Sequence, residues 1–296
     1  MGTIMTVGLN PTLQKTLVFP KMIPDRVNRC AEHRFDVAGK ALNVSRVLSQ
    51  LGKKNRHLTP LGGTFRPVFT DLCVQDGLDI RWVESGSVIR FCYTIVDTEQ
   101  RGTTELVEEG GRLEEGAESL FLESFNSLLP ECSVLIISGS KAAGFSDAII
   151  PEMVKRAKQS GLLVILDIRG LDLLNSLPFK PDLIKPNIDE FAATFAEGNT
   201  LDKDTTGSLC RTIWEQCGCR IVLTRGGHDI WYAESGKLEE FPVERVDGLN
   251  TTGSGDAFTA GLASALIDGA SLREALAEGS RCGSLNALLL KPGTIV

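Results

Sequence analysis

A chain of 296 residues, 42% hydrophobic and 23% charged, has the composition of a globular protein and can bury most of its apolar surface. Its net charge of −7, with 31 Lys and Arg scattered and no basic run, excludes a surface that tracks a phosphate backbone, so nucleic acid is not an expected partner. No apolar run approaches a bilayer span and no charged leader precedes the strand-like Ile4–Leu9, so neither a membrane anchor nor a signal peptide is expected, and the cytoplasm is the expected location.

After Ile4–Leu9 the pattern breaks into short extended pieces and turns over residues 12–38. A helix with its apolar side on Val44, Val47, Leu48 and Leu51 follows; Gly39 offers a backbone turn at its entrance, and Lys40 and Asn43 offer donors there. Residues 88–108 alternate like an exposed strand and end on the charged edge Thr103-Thr104-Glu105. Segments 12–38 and 88–108 are read as a small β layer outside the main sheet, a lid.

From residue 134 onward a short apolar strand repeatedly precedes an amphipathic helix. Val134–Ile137 leads to a helix over about 147–159; Leu162–Asp167, Asp182–Lys185 with a helix near Glu190, and Arg220–Thr224 continue the rhythm. Such alternation predicts a parallel sheet covered on both faces. No repeat, long linker or low-complexity stretch divides the chain, so residues 1–296 are read as one domain carrying a lid. Most of the eight cysteines lie in apolar segments, as expected of a reducing compartment; Cys217-Gly218-Cys219, with no second pair or nearby His, reads as helix-end packing rather than a metal site.

The chemistry concentrates in Asn250-Thr251-Thr252-Gly253-Ser254-Gly255-Asp256, ahead of a helix with Phe258, Leu262, Ala265 and Leu266 on one face. Glycines on either side of Ser254 let the backbone turn tightly, and the amides of a helix's first turn form an anion site with its dipole. A carboxylate beside an anion site has two readings. Asp256 is either a helix cap, worth about 1 kcal/mol, or the base that accepts a proton from a hydroxyl attacking phosphorus.

Residues 250–258 closely resemble the signature of the phosphofructokinase-B (ribokinase-like) carbohydrate kinases. The resemblance continues through Leu9–Leu13, Phe35–Arg46, Ser138-Gly139-Ser140, Lys185–Glu190, Thr224–Gly227 and the segment Cys282–Leu289, in the family's order. It implies a three-layer α/β sandwich with a mostly parallel central sheet and a β-sheet lid. It further implies Asp256 as catalytic base, with Gly253, Ser254 and Gly255 forming the anion hole. Gln14, Gly39, Lys40, Asn43, Arg90 and Ser140 would contact the acceptor, and Lys185, Asn187, Thr224, Arg225, Gly226 and Asn286 the ATP. Asn187 and Glu190 would hold Mg²⁺, mostly through water.

The branch it most resembles phosphorylates fructose 1-phosphate, fructose 6-phosphate or tagatose 6-phosphate, and its relatives pair their lids into a homodimer. This chain departs from the pattern on the acceptor side. Gln14 stands where an aspartate is usual, Val27 where some members have lysine, Arg66 and Ala41 where glycine is usual, and Lys141-Ala142-Ala143 replaces Leu-Pro-Pro. Arg90 and Arg29 stand where the resemblance implies cations for the acceptor's phosphate, and Lys40, Arg66 and Lys141 are candidate replacements for the missing one. Those departures keep two alternatives open: a kinase of an unphosphorylated sugar or nucleoside, and a phosphosugar-binding regulator without catalysis.

Overall fold

A computed structural model describes residues 2–296. The first half runs β1 (Thr3–Val7), β2 (Thr12–Phe19), β3 (Glu32–Ala38), α1 (Lys40–Gln50), β4 (Asn55–Leu61), α2 (Arg66–Gln75), β5 (Ile80–Glu84), β6 (Arg90–Asp97), β7 (Gly102–Val107) and α3 (Ala117–Leu128). There follow β8 (Cys132–Ser138), α4 (Ile149–Gln159), β9 (Leu163–Asp167), α5 (Gly170–Ser176), β10 (Leu183–Ile184), α6 (Ile188–Phe195) and α7 (Lys203–Cys217). The chain ends with β11 (Arg220–Arg225), β12 (His228–Glu234), β13 (Lys237–Phe241), α8 (Ser254–Ile267) and α9 (Leu272–Ala287).

The main sheet has nine strands in the order β13-β12-β11-β10-β9-β8-β1-β4-β5. From β11 to β5 every pairing is parallel, and the inner strands are buried on both faces, as continuous apolar runs such as Val134–Ile137 demand. One face packs Phe121, Phe125, Met153 and Phe191; the other packs Val44, Val47, Leu262 and Leu276. The large sheet departs from the parallel expectation at one edge, where β11, β12 and β13 are antiparallel. Gly226-Gly227 between paired Arg225 and His228 reverses the chain in two residues, too few for a parallel crossover.

The second sheet, β3-β2-β6-β7, is built from the two segments that broke the strand–helix rhythm. Two boundaries shift by little: α4 begins at Ile149 rather than 147, and β10 shortens to two residues because Pro186 follows so closely. Gly218 ends α7 in the left-handed conformation, so the Cys217-Gly218-Cys219 turn is a helix C-cap. Among the described residues no helix is long and apolar enough to cross a membrane.

Candidate active site

The parallel strands all deliver their carboxyl ends to one edge of the sheet, where ligands of open α/β folds gather. There β8 leads into Ser138-Gly139-Ser140, β9 ends on Asp167, β10 leads into Lys185 and Asn187, and β11 carries Thr224. The amino end of α8 faces the same edge.

Gly253 is the N-cap of α8, with φ +84°; a Cβ there would lie 2.4 Å from the Gly293 nitrogen, so only glycine fits. Asp256 is therefore the third residue of the helix, and its side chain caps nothing. The cap reading falls on position alone. Of the amides expected to form the anion site, Ser254 donates to the Thr251 carbonyl at 3.1 Å, and its hydroxyl accepts from Asn286 at 3.1 Å. The Gly253 and Gly255 amides are those without an acceptor among the described residues.

Asp256 is only 6% exposed. Asn43 of α1 donates its amide to Asp256 Oδ2 at 2.8 Å. Burial is the largest influence on this carboxyl and pushes it up to about 7; Lys40 opposes that, the Asp167 charge adds to it, and the Asn43 hydrogen bond moderates it. A carboxyl that titrates near neutrality can both accept and return a proton.

Asp167 sits deeper, 2% exposed, 3.3 Å from Lys185 Nζ and accepting from Ser138 at 3.2 Å and Thr259 at 3.1 Å. Burial opposes its charge, yet Lys185, Lys40 and the Thr259 hydroxyl outweigh that and hold the carboxyl below its usual range. Asp167, first among its partners, together with Glu190 and Asp256, keeps Lys40 firmly protonated.

Two cavities meet at this helix end. One, of about 470 Å³, is lined on the sheet side by Gly39, Asn43, Asp167 and Asp256 and on the other by Gln14, Arg90 and Glu105 of the second sheet. The other, of about 670 Å³, runs past Gly226, Ile230, Val243, Phe258 and Gly283. Asn187, Thr224, Thr251 and Gly255 border both. A group held there would lie between the two compartments, against the Gly255 amide.

The expected acceptor residues are mostly brought together. Gln14 is buried and donates to Thr94 at 2.7 Å, and Arg90 donates to Thr12 at 3.0 Å. Ser140 accepts from Asn10 at 3.3 Å. Lys40 reaches Glu190 at 3.0 Å, toward the junction rather than the far end of the smaller cavity. Three of the six residues expected to contact the nucleotide do not line the larger cavity, and of these Lys185 lines the smaller one. Lys185 is bound to Asp167. Arg225 stacks on Trp231 at 3.9 Å from the ring centre and borders neither cavity. Asn286 is buried, bracing the loop through the Thr252 carbonyl and the Thr294 amide, while Gly283, Ser284 and Ala287 of the same helix line the cavity instead. Of the candidate replacement cations, Arg66 pairs with Glu84 and Lys141 with Asp147 and Asp172, away from the cleft.

Asn187 and Glu190 form a capping box on α6: Asn187 Oδ1 accepts from the Glu190 amide at 2.7 Å and Glu190 Oε2 from the Asn187 amide at 3.0 Å. Among the described residues no three His, Cys, Asp or Glu cluster as a metal cage. One carboxylate and one amide beside the anion site fit a cation that keeps waters and takes its other ligands from phosphate, the habit of Mg²⁺.

Sequence reading missed Arg46, which is 2% exposed. It donates to the Val37 carbonyl at 2.6 Å, the Pro292 carbonyl at 3.1 Å, Asp76 at 2.9 Å and Asn43 Oδ1 at 3.0 Å. The last contact turns the Asn43 amide so that its NH₂ faces Asp256. A charged residue on the apolar side of a helix, one position before Val47, was the available signal.

Gly255 contrasts with Gly253. A Cβ on it would meet nothing nearer than Lys185 Nζ at 4.0 Å. Gly255→Ala is therefore expected to leave thermal stability within about 1 kcal/mol, helix propensity favouring alanine, yet to lower turnover at least about tenfold by placing a methyl where the transferred group passes. Calorimetry and a turnover assay on the same sample check both halves.

A helix end with two unpaired amides and a near-neutral carboxylate, set between two cavities, is built to hold a phosphoryl group and a hydroxyl at once, the task of an α/β kinase. The model of the pfkB family carbohydrate kinases matches residues 7–295, and the chain belongs to that family. It is 29% identical over 295 residues to the tagatose-6-phosphate kinase of Staphylococcus epidermidis, covering 99% of this chain and 94% of that one. Phosphofructokinase-2 of Escherichia coli superposes with a TM-score of 0.88 at 24% identity, over 98% of this chain and 94% of the other. Ribokinase of Thermotoga maritima gives 0.77 at 19% identity, over 100% and 96%.

Proposed function

We propose that this carbohydrate kinase transfers the γ-phosphoryl group of ATP to a hydroxyl of a ketohexose phosphate, with Asp256 as general base. The observation that carries this reading is the position of Asp256: buried, titrating near 7, and beside the free Gly253 and Gly255 amides where the two cavities meet. The acceptor hydroxyl gives its proton to Asp256 as its oxygen bonds to phosphorus. The bond from phosphorus to the ADP oxygen breaks, and ADP leaves with that electron pair.

The two amides face the charge spread over the transferred oxygens. Asn187 and Glu190 would hold Mg²⁺, and the ion would neutralise phosphate charge when bound. The adenine side of the nucleotide occupies the larger cavity, against Ile230, Val243 and Gly283. Arg90, at the wall of the acceptor cleft, pairs with the phosphate the acceptor already carries. In support, the Staphylococcus epidermidis relative bears the name of a sugar-phosphate kinase. The intact base argues against a regulator without catalysis, since a binding protein needs no proton acceptor.

The second sheet closes the acceptor cleft as a lid, excluding water that would otherwise take the phosphoryl group. Its outer side leaves Phe35 and Leu106 exposed, with Phe35, Phe91 and Tyr93 stacked in a row at 6.5 and 6.4 Å. A second copy of the chain covers that surface and pairs lid with lid. Sedimentation at micromolar concentration is expected to give a dimer; a clean monomer removes this part of the reading.

The test of function is an ADP-release screen across ketohexose phosphates, free sugars and nucleosides. Ketohexose phosphates are expected to be used best. A preference for unphosphorylated acceptors would remove the phosphate role of Arg90, and no release with any compound would leave only the binding protein.

A further inference from the structure

The acceptor cleft has a side chamber of about 80 Å³, between two and three waters' share of liquid volume (about 30 Å³ each). It shares Ala38, Gly39, Lys40 and Arg90 with the cleft, and its remaining wall includes His57 and Thr59 of β4. These two lie on one face of the sheet, being two residues apart, and His57 is paired in register with Thr6 of β1. That face is otherwise packed with Ile4, Val44 and Ile136.

Polar side chains on a buried apolar face need partners. Thr6 and His57 supply one another, with Oγ1 and Nδ1 2.9 Å apart. The Thr6 hydroxyl meets no other acceptor, so it donates to Nδ1, and by that network the ring carries its own proton on Nε2. The Nε2 edge is turned toward Gly8, another wall of the chamber: a Cβ on Gly8 would stand 3.0 Å from His57 Cε1 and 3.4 Å from Nε2. Among the described residues nothing accepts from Nε2, and the Thr59 hydroxyl is buried without a partner. His57 is 2% exposed and Thr59 fully buried. Burial first, and the Arg46 charge after it, push the imidazole down to about 3, so the ring is neutral at working pH.

We propose that this chamber reads the configuration of a ring hydroxyl on the acceptor sugar, with His57 Nε2–H donating to that hydroxyl and the Thr59 hydroxyl completing its bonding. The proposal rests on the acceptor being a ketohexose phosphate. The chamber's floor suits a neutral oxygen. A phosphate carries charge that a neutral imidazole and a threonine cannot match, and it belongs at the mouth, where Arg90 stands. A site built to bond one hydroxyl rejects the epimer that points it elsewhere, because its buried donors are then left unpaired.

The experiment measures kcat/KM with ATP and the 1- and 6-phosphates of the D-2-ketohexoses, which within each series differ only in configuration at C3 and C4. The wild type is expected to spread these values by at least about tenfold. Two variants are compared with it. Thr6→Val with His57→Leu removes both partners of the buried pair together, and Thr59→Val removes one unpartnered hydroxyl and keeps the volume. Both are expected to compress the spread to about twofold, with KM for ATP unmoved. A merely structural defect would lower every epimer alike and keep the ratios.

If the wild type uses none of these phosphates, the proposed acceptor class falls, and the subsite with it. If it uses them without preference, or if the variants keep the wild-type ratios, the subsite alone is overturned. Should the paired variant fail to fold, Thr59→Val decides.

Discussion

Asp256→Asn is expected to lower turnover at least about a hundredfold and, at pH 8, to make the protein more stable. The two effects share one cause. Burial pushes the Asp256 carboxyl from 3.8 up to about 7, so the folded protein holds that proton more tightly than the unfolded chain does. The group therefore erodes stability as pH rises from about 4 to about 7, and the whole penalty is present above that. Ionising a carboxyl so displaced opposes folding by about 4 kcal/mol as an upper figure.

Asparagine has the same shape and no charge to desolvate, so a gain of order 1 kcal/mol or more is expected at pH 8, vanishing near pH 4 where both side chains are neutral. Turnover of the wild type should climb with pH through a midpoint near 7, since the base works only when ionised, and the variant should lack that limb. Chemical denaturation and initial rates across pH 4–9 read both effects. Unimpaired turnover would remove the base, and a loss of stability at pH 8 would remove the burial penalty on its charge.

Arg46→Met is expected to carry the largest stability loss, about 3–5 kcal/mol. Methionine fills the volume but leaves the Val37 and Pro292 carbonyls without their donor, in a core where such groups find no water. Asp76 keeps Lys291 at 2.5 Å, which limits the loss. The change also frees the Asn43 amide. The Asn43 hydrogen bond lowers the Asp256 carboxyl, so its loosening should move the acid limb of the rate profile to higher pH and reduce turnover at pH 7. A destabilised variant with an unmoved pH profile would make Arg46 a packing residue only. That outcome separates orientation of the base from support of the fold.

Why Arg46 escaped sequence reading shows where such reading stops. The helix around it was legible from Val44, Val47 and Leu48, because a 3.6-residue period leaves its mark on any stretch of a dozen residues. Its four partners come from β3, α1, the end of α2 and the C-terminal segment, and no spacing along the chain records that meeting. Asn286 and Arg225 show the converse. Each stands in a segment with the right resemblance, yet Trp231 draws Arg225 aside and the Thr252 carbonyl draws Asn286 inward. His57 gave no signal either, being one histidine in a strand whose neighbours only the sheet register supplies.

What the amino-acid order determined by itself was local: apolar runs that must be strands buried on both faces, a glycine-flanked turn that must open a helix with free amides, and a carboxylate at its third residue. The tertiary structure alone decided which amides stay free, how far the Asp256 proton is held, and which polar side chains face a cavity instead of each other. Those properties depend on distance and dielectric between groups far apart in sequence, such as Asn43 and Asp256 at 213 positions, and such distances exist only once the chain has closed on itself.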